Sequence, residues 1–406
     1  MPEAQTAEPG PTQFPMTRGR CPFDPPPELG RKLREEPVSR VRIWDGSEPW
    51  LFTRYEDVRA LLTDPRVSAD PERDGYPAQT PGVKARRTRF RSFIGMDDPE
   101  HAAQRRLLTG DFMVKKVQRM RPRIQQIVDE LLDEMLAGPK PADLVQAFAL
   151  PVPSLVICEL LGVPYADRDF FHRCSKILVS REATVEETLA ATEELLDYLA
   201  RLVEKKIDDP ADDVFSRLAT GQVATGAMTV EEAAAMGQLL LVAGHETTAN
   251  MIALGTVALL ENPDQLAAVR DGDDALLANA VEELLRYLTI VHSGRRRVAL
   301  EDVEIGGQTV RAGEGLIAAT DVANRDETQF PEADKLDVTR KARHHVAFGY
   351  GVHQCLGQPL ARVELQVVYR TLYRRIPTLR LAAPVDELKF KHDMVVYGVH
   401  ELPVTW

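Results

Sequence analysis

The chain has 406 residues, of which 44% are hydrophobic, with four cysteines and a formal net charge of -12. A chain of this length can bury a large core without cross-links. Cys21, Cys158, Cys174 and Cys355 form no C-x-x-C pair, which excludes a cysteine-only zinc site, argues against a disulfide-stapled secreted scaffold and suits a reducing cytoplasm. The acidic balance excludes a general nucleic-acid binder, which needs a basic footprint.

Residues 1–30 hold eight of the 28 prolines and no apolar run of signal-peptide length. They read as an irregular leader before a single domain over residues 31–406. A strand-rich patch follows at Val38–Thr53, with Asp45-Gly46 as its hairpin turn. From Tyr55 to Leu285 helical spacing dominates, clearest at Asp129–Leu136 and Thr192–Lys206. Breaks at Pro139–Pro141, Pro151–Pro153 and Gly162–Pro164 separate helices rather than domains. Eighteen apolar residues never run together, so no membrane span is expected.

The strongest single element is a helix from Thr229 to Leu260. Thr229-Val230-Glu231-Glu232 is a capping box: the threonine accepts from the third amide and Glu232 reaches back. A helix of about 32 residues spans roughly 48 Å, enough to cross a domain. Its middle, Ala243-Gly244-His245-Glu246-Thr247-Thr248, sets polar groups in an apolar helix, where each needs a partner. A local kink held by threonine back-bonding and a functional site explain this segment equally well. A zinc protease does not, because Ala249 stands where H-E-x-x-H needs its second histidine.

Next, Arg297–Ile305 and Gln308–Ile317 flank Gly306-Gly307 and predict a hairpin. The last informative segment is Phe348-Gly349-Tyr350-Gly351-Val352-His353-Gln354-Cys355-Leu356-Gly357, just before a helical run over Gln358–Leu372. Glycines at 349, 351 and 357 allow sharp turns and close approach to a flat ligand. A cysteine at a helix N-terminus is favoured as thiolate by loop amides and the helix dipole. A lone cysteine is ordinarily a buried small hydrophobe; here the fixed spacing F-x-x-G-x-x-x-C-x-G reverses that expectation.

With these residues the sequence resembles the cytochrome P-450 family of haem-thiolate monooxygenases over nearly its whole length. It is most similar to soluble bacterial members that hydroxylate sterol-like compounds and secondary metabolites, including polyketides. Glu283-Leu284-Leu285-Arg286 resembles the E-x-x-R helix, with Arg340 as its downstream partner, and is assigned to structure. Ala243–Thr247 resembles the oxygen-activation motif A-G-x-[DE]-T, His101–Arg105 the H-x-x-x-R helix, and Arg297 the arginine preceding the E-D strand. The resemblance implies a mainly α single-domain fold with a small β region, and haem b held by an axial Cys355 thiolate.

Haem carries two carboxylates, and His101, Arg105, Arg297 and His353 are the natural set to bind them. Phe348 would shield the sulfur, with Gly349, Gly351 and Gly357 shaping its loop, while Ala243 and Gly244 would let the long helix pass close over the ring. Thr247 would hold a water beside bound oxygen, and Glu246 would relay protons from solvent. By the same resemblance, Phe93, Ile94, Val242, Ala243, Ile290, Val291, Val395 and Val396 would wall the substrate pocket. Electrons would come from an acidic ferredoxin with its reductase. The docking face would include Arg105, Arg106, Lys115, Lys116, Arg119, Arg121 and Arg123. Lys84, Arg86, Arg87, Arg89 and Arg91 fall in a segment that forms a lid in relatives and read as a solvated loop.

A cytoplasmic monomer bound to neither nucleic acid nor membrane is expected. Two rival readings are a haem-thiolate nitric-oxide reductase and a non-catalytic haem sensor or recruitment module. Glu246 argues against the first, and Cys355, Glu246 and Thr247 together against the second.

Overall fold

The computed structural model describes residues 11–86 and 91–406. Helices form the bulk of the molecule, around the helix Val230–Leu260, called the central helix below. Its capping box forms as the sequence requires: Thr229 Oγ1 accepts from the Glu232 amide at 3.1 Å, and the Thr229 amide donates to Glu232 Oε2 at 2.8 Å. This helix is apolar on every side, and 22 of its residues are buried, which marks it as a core helix rather than a surface one. It packs against the helices Pro151–Leu161, Val185–Asp208 and Gln358–Arg375.

The main sheet has six strands in the order Thr12–Gln13, Val38–Arg42, Trp50–Phe52, Gly315–Ala318, Arg295–Ala299 and Val67–Ser68. Val38–Arg42 and Trp50–Phe52 pair antiparallel, as the Asp45-Gly46 turn predicts. The expected later hairpin is divided. Val303–Ile305 pairs with Gln308–Val310 across the two glycines, while Arg295–Ala299 pairs separately with Gly315–Ala318. This second pairing puts Arg295 and Arg297 on one face of the strand.

Two expectations shift and a third is extended. Thr12–Gln13 pairs with Val41 and Arg42, and Phe14 and Arg18 are buried, so this part of the leader is built into the fold. The helix read from Asp129 begins at Val114 and runs through Pro122. Pro151 not only separates the π-helical turn Val145–Ala149 from the helix Pro151–Leu161 but opens the latter, at a position where its missing N–H costs nothing. Among the described residues, no helix is long and apolar enough to cross a membrane.

A cavity between the central helix and the cysteine loop

One cavity is walled by the central helix on one side and by the cysteine loop, with the start of its helix, on the other. Thr247, Ala243 and Gly244 line the first wall, and Phe348, His353, Cys355 and Gly357 the second. Phe93, Ile94, Ile290 and Val291 complete an apolar rim, as the sequence suggests. Val242, Val395 and Val396 are not among the lining residues. Val242 packs against the core, Val396 is buried in it, and the Val395 amide donates to Val179 O at 2.8 Å.

The cysteine loop is held by its own backbone. The Cys355 amide donates to Phe348 O at 2.9 Å, and Gly349 and Gly351 take φ of +74° and +73°. Those angles favour glycine, and a Cβ on Gly351 would also meet Leu62 O at 2.5 Å. Burial pushes the Cys355 thiol above its ordinary pKa. Arg295, the Gly357 amide, Arg105 and the Gln358 amide pull the other way without prevailing. The loop amides thus favour the thiolate, as expected from the sequence, while burial outweighs them. A cation at the sulfur would complete the thiolate.

Gly244 lines the cavity, and its missing side chain also serves helix packing. A Cβ there would meet Ile157 Cγ1 at 2.8 Å, so the missing side chain serves packing of the central helix on Pro151–Leu161. Thr247 Oγ1 donates its hydrogen to Ala243 O at 2.7 Å. The hydroxyl then offers lone pairs, and in this rotamer it accepts rather than donates.

A cationic and imidazole group borders the loop. His101, on the helix Glu100–Thr109, is buried, and its Nδ1 lies 3.0 Å from Asp98 Oδ1. Arg105, one turn on, donates from Nη2 to Gln354 O at 2.6 Å. Burial, Arg297 and His101, in that order, push His353 down to about 3, so it is neutral near pH 7. Arg297 is half-buried and gives Nη1 to Arg296 O at 2.7 Å. Sequence reasoning missed Arg295, which lines the cavity directly and whose charge acts on Cys355.

Two observations test whether these residues fit a flat group with two carboxylates. The buried atoms His101 Nε2 and Arg295 Nε have no hydrogen-bond partner within the protein, and such atoms are rarely left unpaired. Arg295 Nε can donate to a carboxylate as it stands, and His101 Nε2 can do so as an imidazolium, whose Nδ1 keeps its bond to Asp98. The donor set fits haem, for which Cys355 would supply a soft sulfur ligand.

Glu364 is a second residue the sequence did not single out. It lies on the helix Gln358–Arg375, lines the same cavity and is almost fully buried. Burial raises its carboxyl to about 8, and a hydrogen bond from Thr248 only partly offsets this.

The Glu283–Arg286 pair is structural, as assigned. Two bonds of 2.8 Å join them, neither side chain is exposed, and Arg340 Nε adds a contact of 3.1 Å to Glu283 Oε1. Of the segment 84–91, Lys84 pairs with Asp45 and Arg91 with Asp70; Arg87 and Arg89 lie outside the described residues.

The family model described as cytochrome P450 matches residues 168–376. The chain is 56% identical over 403 residues to cytochrome P450-SU2 of Streptomyces griseolus, which covers 99% of each chain. It is 49% identical over 406 residues to pentalenic acid synthase of Streptomyces avermitilis, covering 100% of both. A solved structure of the mycinamicin VIII C21 methyl hydroxylase MycCI of Micromonospora griseorubida, bound to mycinamicin VIII, matches with a TM-score of 0.92. Identity there is 42%, over 97% of this chain and 100% of that one.

Proposed function

This chain belongs to the cytochrome P450 family of monooxygenases, which bind haem b through a cysteine thiolate, and from that premise we propose that Cys355 is the ligand and that a bulky, mainly apolar secondary metabolite is hydroxylated in the cavity above it. The observation that carries this reading is the cavity itself. It sets Cys355 and Thr247 on opposing walls, with Phe93, Ile94, Ile290 and Val291 as an apolar rim. Pentalenic acid synthase and the mycinamicin hydroxylase act on compounds of the class such a rim accepts.

Each residue has a part. His101, Arg105, Arg295, Arg297 and His353 hold the haem carboxylates, and Phe348 covers the sulfur side. When bound, haem supplies dioxygen activation, with the thiolate favouring O–O cleavage. Thr247, whose hydrogen is committed to Ala243, accepts from a water and keeps it at the cavity wall. Glu246 supplies protons to that water. The apolar rim orients the substrate and keeps bulk water out.

Electrons come from an acidic ferredoxin with its reductase. Of the seven basic residues expected to receive it, Arg105 bonds Gln354 O, Lys116 pairs with Asp111, Arg121 bonds Gln366 and Arg123 pairs with Glu159. Arg106, Lys115 and Arg119 are exposed and make no ion pair among the described residues. With the exposed Met113, Val114 and Val352, they form the docking set. The protein works as a cytoplasmic monomer.

A screen of macrolides and terpenes for a low- to high-spin shift, followed by turnover with a surrogate ferredoxin and reductase, tests the reading. A hydroxylated product supports it. A spin shift without any product, under conditions that turn over a control enzyme, contradicts it.

A further inference from the structure

Behind Glu246, away from the cavity, lies a buried histidine pair. His245 is fully buried on the central helix, and its Nδ1 is 2.7 Å from Leu241 O. A carbonyl only accepts, so Nδ1 carries a hydrogen. The other ring nitrogen, Nε2, is buried without a hydrogen-bond partner and lies 3.6 Å from Glu246 Oε1. A bare Nε2 would set a lone pair against a carboxylate oxygen, and two acceptors repel. One proton must therefore belong to this pair.

Burial raises the Glu246 carboxyl, but His245, then Lys391 and His172, outweigh it and hold the group below its usual range. The pair therefore shares one proton between His245 Nε2 and Glu246 Oε1.

The helix Arg168–Leu178 packs His172 against this pair. The two imidazole rings lie 5.2 Å apart between centroids, with Phe171 edge-on to His245 at 5.9 Å. Ser154 Oγ gives its hydrogen to Leu150 O at 2.7 Å, so its 2.7 Å contact with His172 Nε2 is a bond donated by the histidine. Burial and then the His245 charge push His172 down to about 4, so it is neutral near pH 7 with Nδ1 bare. Unlike His245, His172 is only half-buried. The other charged groups facing this cluster are Arg168 and Asp169 from the same helix and Lys391 from the C-terminal segment, itself influenced by Lys176 and Asp393.

We propose that His245 is the proton store for Glu246 and that His172 refills it from solvent. The proposal rests on the reading that Glu246 serves the cavity. His245 Nε2 passes its hydrogen to Glu246 Oε1, leaving a neutral imidazole and a carboxylic acid. The acid releases that hydrogen to the water held at Thr247 and returns to carboxylate. One proton from solvent, carried by His172, restores the imidazolium; no electrons move. Neither histidine nor Glu246 lines the cavity, so both histidines are positioning residues that act through Glu246, which reaches the cavity by way of Thr247 on its wall.

His245→Asn keeps a donor for Leu241 O and removes the titratable ring; His172→Asn does the same for Ser154. Each variant is prepared as holoenzyme, with haem content and unfolding temperature confirming the fold, and compared with Glu246→Gln. Histidine-labelled NMR of the diamagnetic ferrous CO form reads the charge directly. At pH 7.5 His245 is expected to be imidazolium, and His172 neutral, titrating at higher pH in His245→Asn. A neutral His245, or a His172 titration indifferent to that variant, overturns the store.

Turnover of a compound chosen by its spin shift gives the second reading. His245→Asn should lower product per NADH by about tenfold, within the range for a lost acid–base group, with peroxide rising to match. His172→Asn should slow turnover and enlarge its solvent deuterium isotope effect. If Glu246→Gln loses coupling and His245→Asn does not, the store is wrong while the role of Glu246 stands. If neither loses coupling, the role of Glu246 fails and the store with it. An unchanged rate and isotope effect in His172→Asn overturns the refilling route.

Discussion

The rings of His101 and His353 lie 4.1 Å apart between centroids, tilted by 40°. One comes from the helix Glu100–Thr109 and the other from the cysteine loop. Their meeting joins two distant parts of the chain at the edge of the cavity, where His101 Nε2 waits for a partner. Replacing His101 by Phe keeps the ring contact and removes the donor. Haem affinity, measured by transfer to apomyoglobin, should weaken by about 10- to 100-fold, the worth of one hydrogen bond to a charged group. Unchanged transfer kinetics would remove His101 from the carboxylate site.

Thr247→Ala leaves the apolar wall intact and deletes the oxygen that accepts from water. The variant should bind haem and substrate as the parent does, yet release much of its reducing equivalents as peroxide. The ratio of peroxide to NADH consumed checks this. An unaltered ratio would take Thr247 out of proton delivery.

Glu283 and Arg286 form a fully buried ion pair, and Arg286 Nη1 also donates to the Asn324 and Ala333 carbonyls at 2.8 and 2.9 Å. Arg286→Met leaves a buried carboxylate with only Arg340 and the Asp337 amide. Breaking a buried pair costs about 3–5 kcal/mol, so denaturant unfolding should show a loss of that size. A change within 0.5 kcal/mol, roughly that of an ordinary surface substitution, would contradict the structural role.

These motifs show how far local pattern reaches. The capping box of the central helix, the E-x-x-R pair and the cysteine loop are short-range features, and each appears where the residues place it. Arg295, Glu364 and His172 were not legible. Alternation along 295–299 says which residues share a face, but only pairing with Gly315–Ala318 says where that face lies. Glu364 reads as one charge on a helix, and its burial comes from the central helix packing over it. His172 gains meaning only because Arg168–Leu178 lies against His245. The cavity rim shows the same limit. Val395 and Val396 have the right chemistry, but Val396 is buried in the core and the Val395 amide is bonded to Val179 O.

Glu364 gives a pH-dependent prediction. Its carboxyl titrates near 8 when folded and near 4.5 when unfolded. The folded chain thus binds one more proton than the unfolded chain between these values, so stability falls as pH rises through that window. Glu364→Gln removes the slope. The variant should gain in unfolding temperature over the parent on going from pH 5 to pH 8, and a constant difference would show that Glu364 is ionised in the folded protein.

The docking set is tested by Lys115→Glu with Arg119→Glu. Reduction by an acidic ferredoxin should slow, and its dependence on salt should flatten, because the steering charge has been inverted. Equal rates and equal salt dependence would place the partner elsewhere.

The central claim is that Cys355 ligates haem iron as a thiolate. The absorption spectrum of the reduced, CO-bound protein tests it most directly. The wild-type protein should show a strongly red-shifted Soret band, and Cys355→Ala should lose it. Its absence from the wild type, or its persistence in Cys355→Ala, would contradict the assignment.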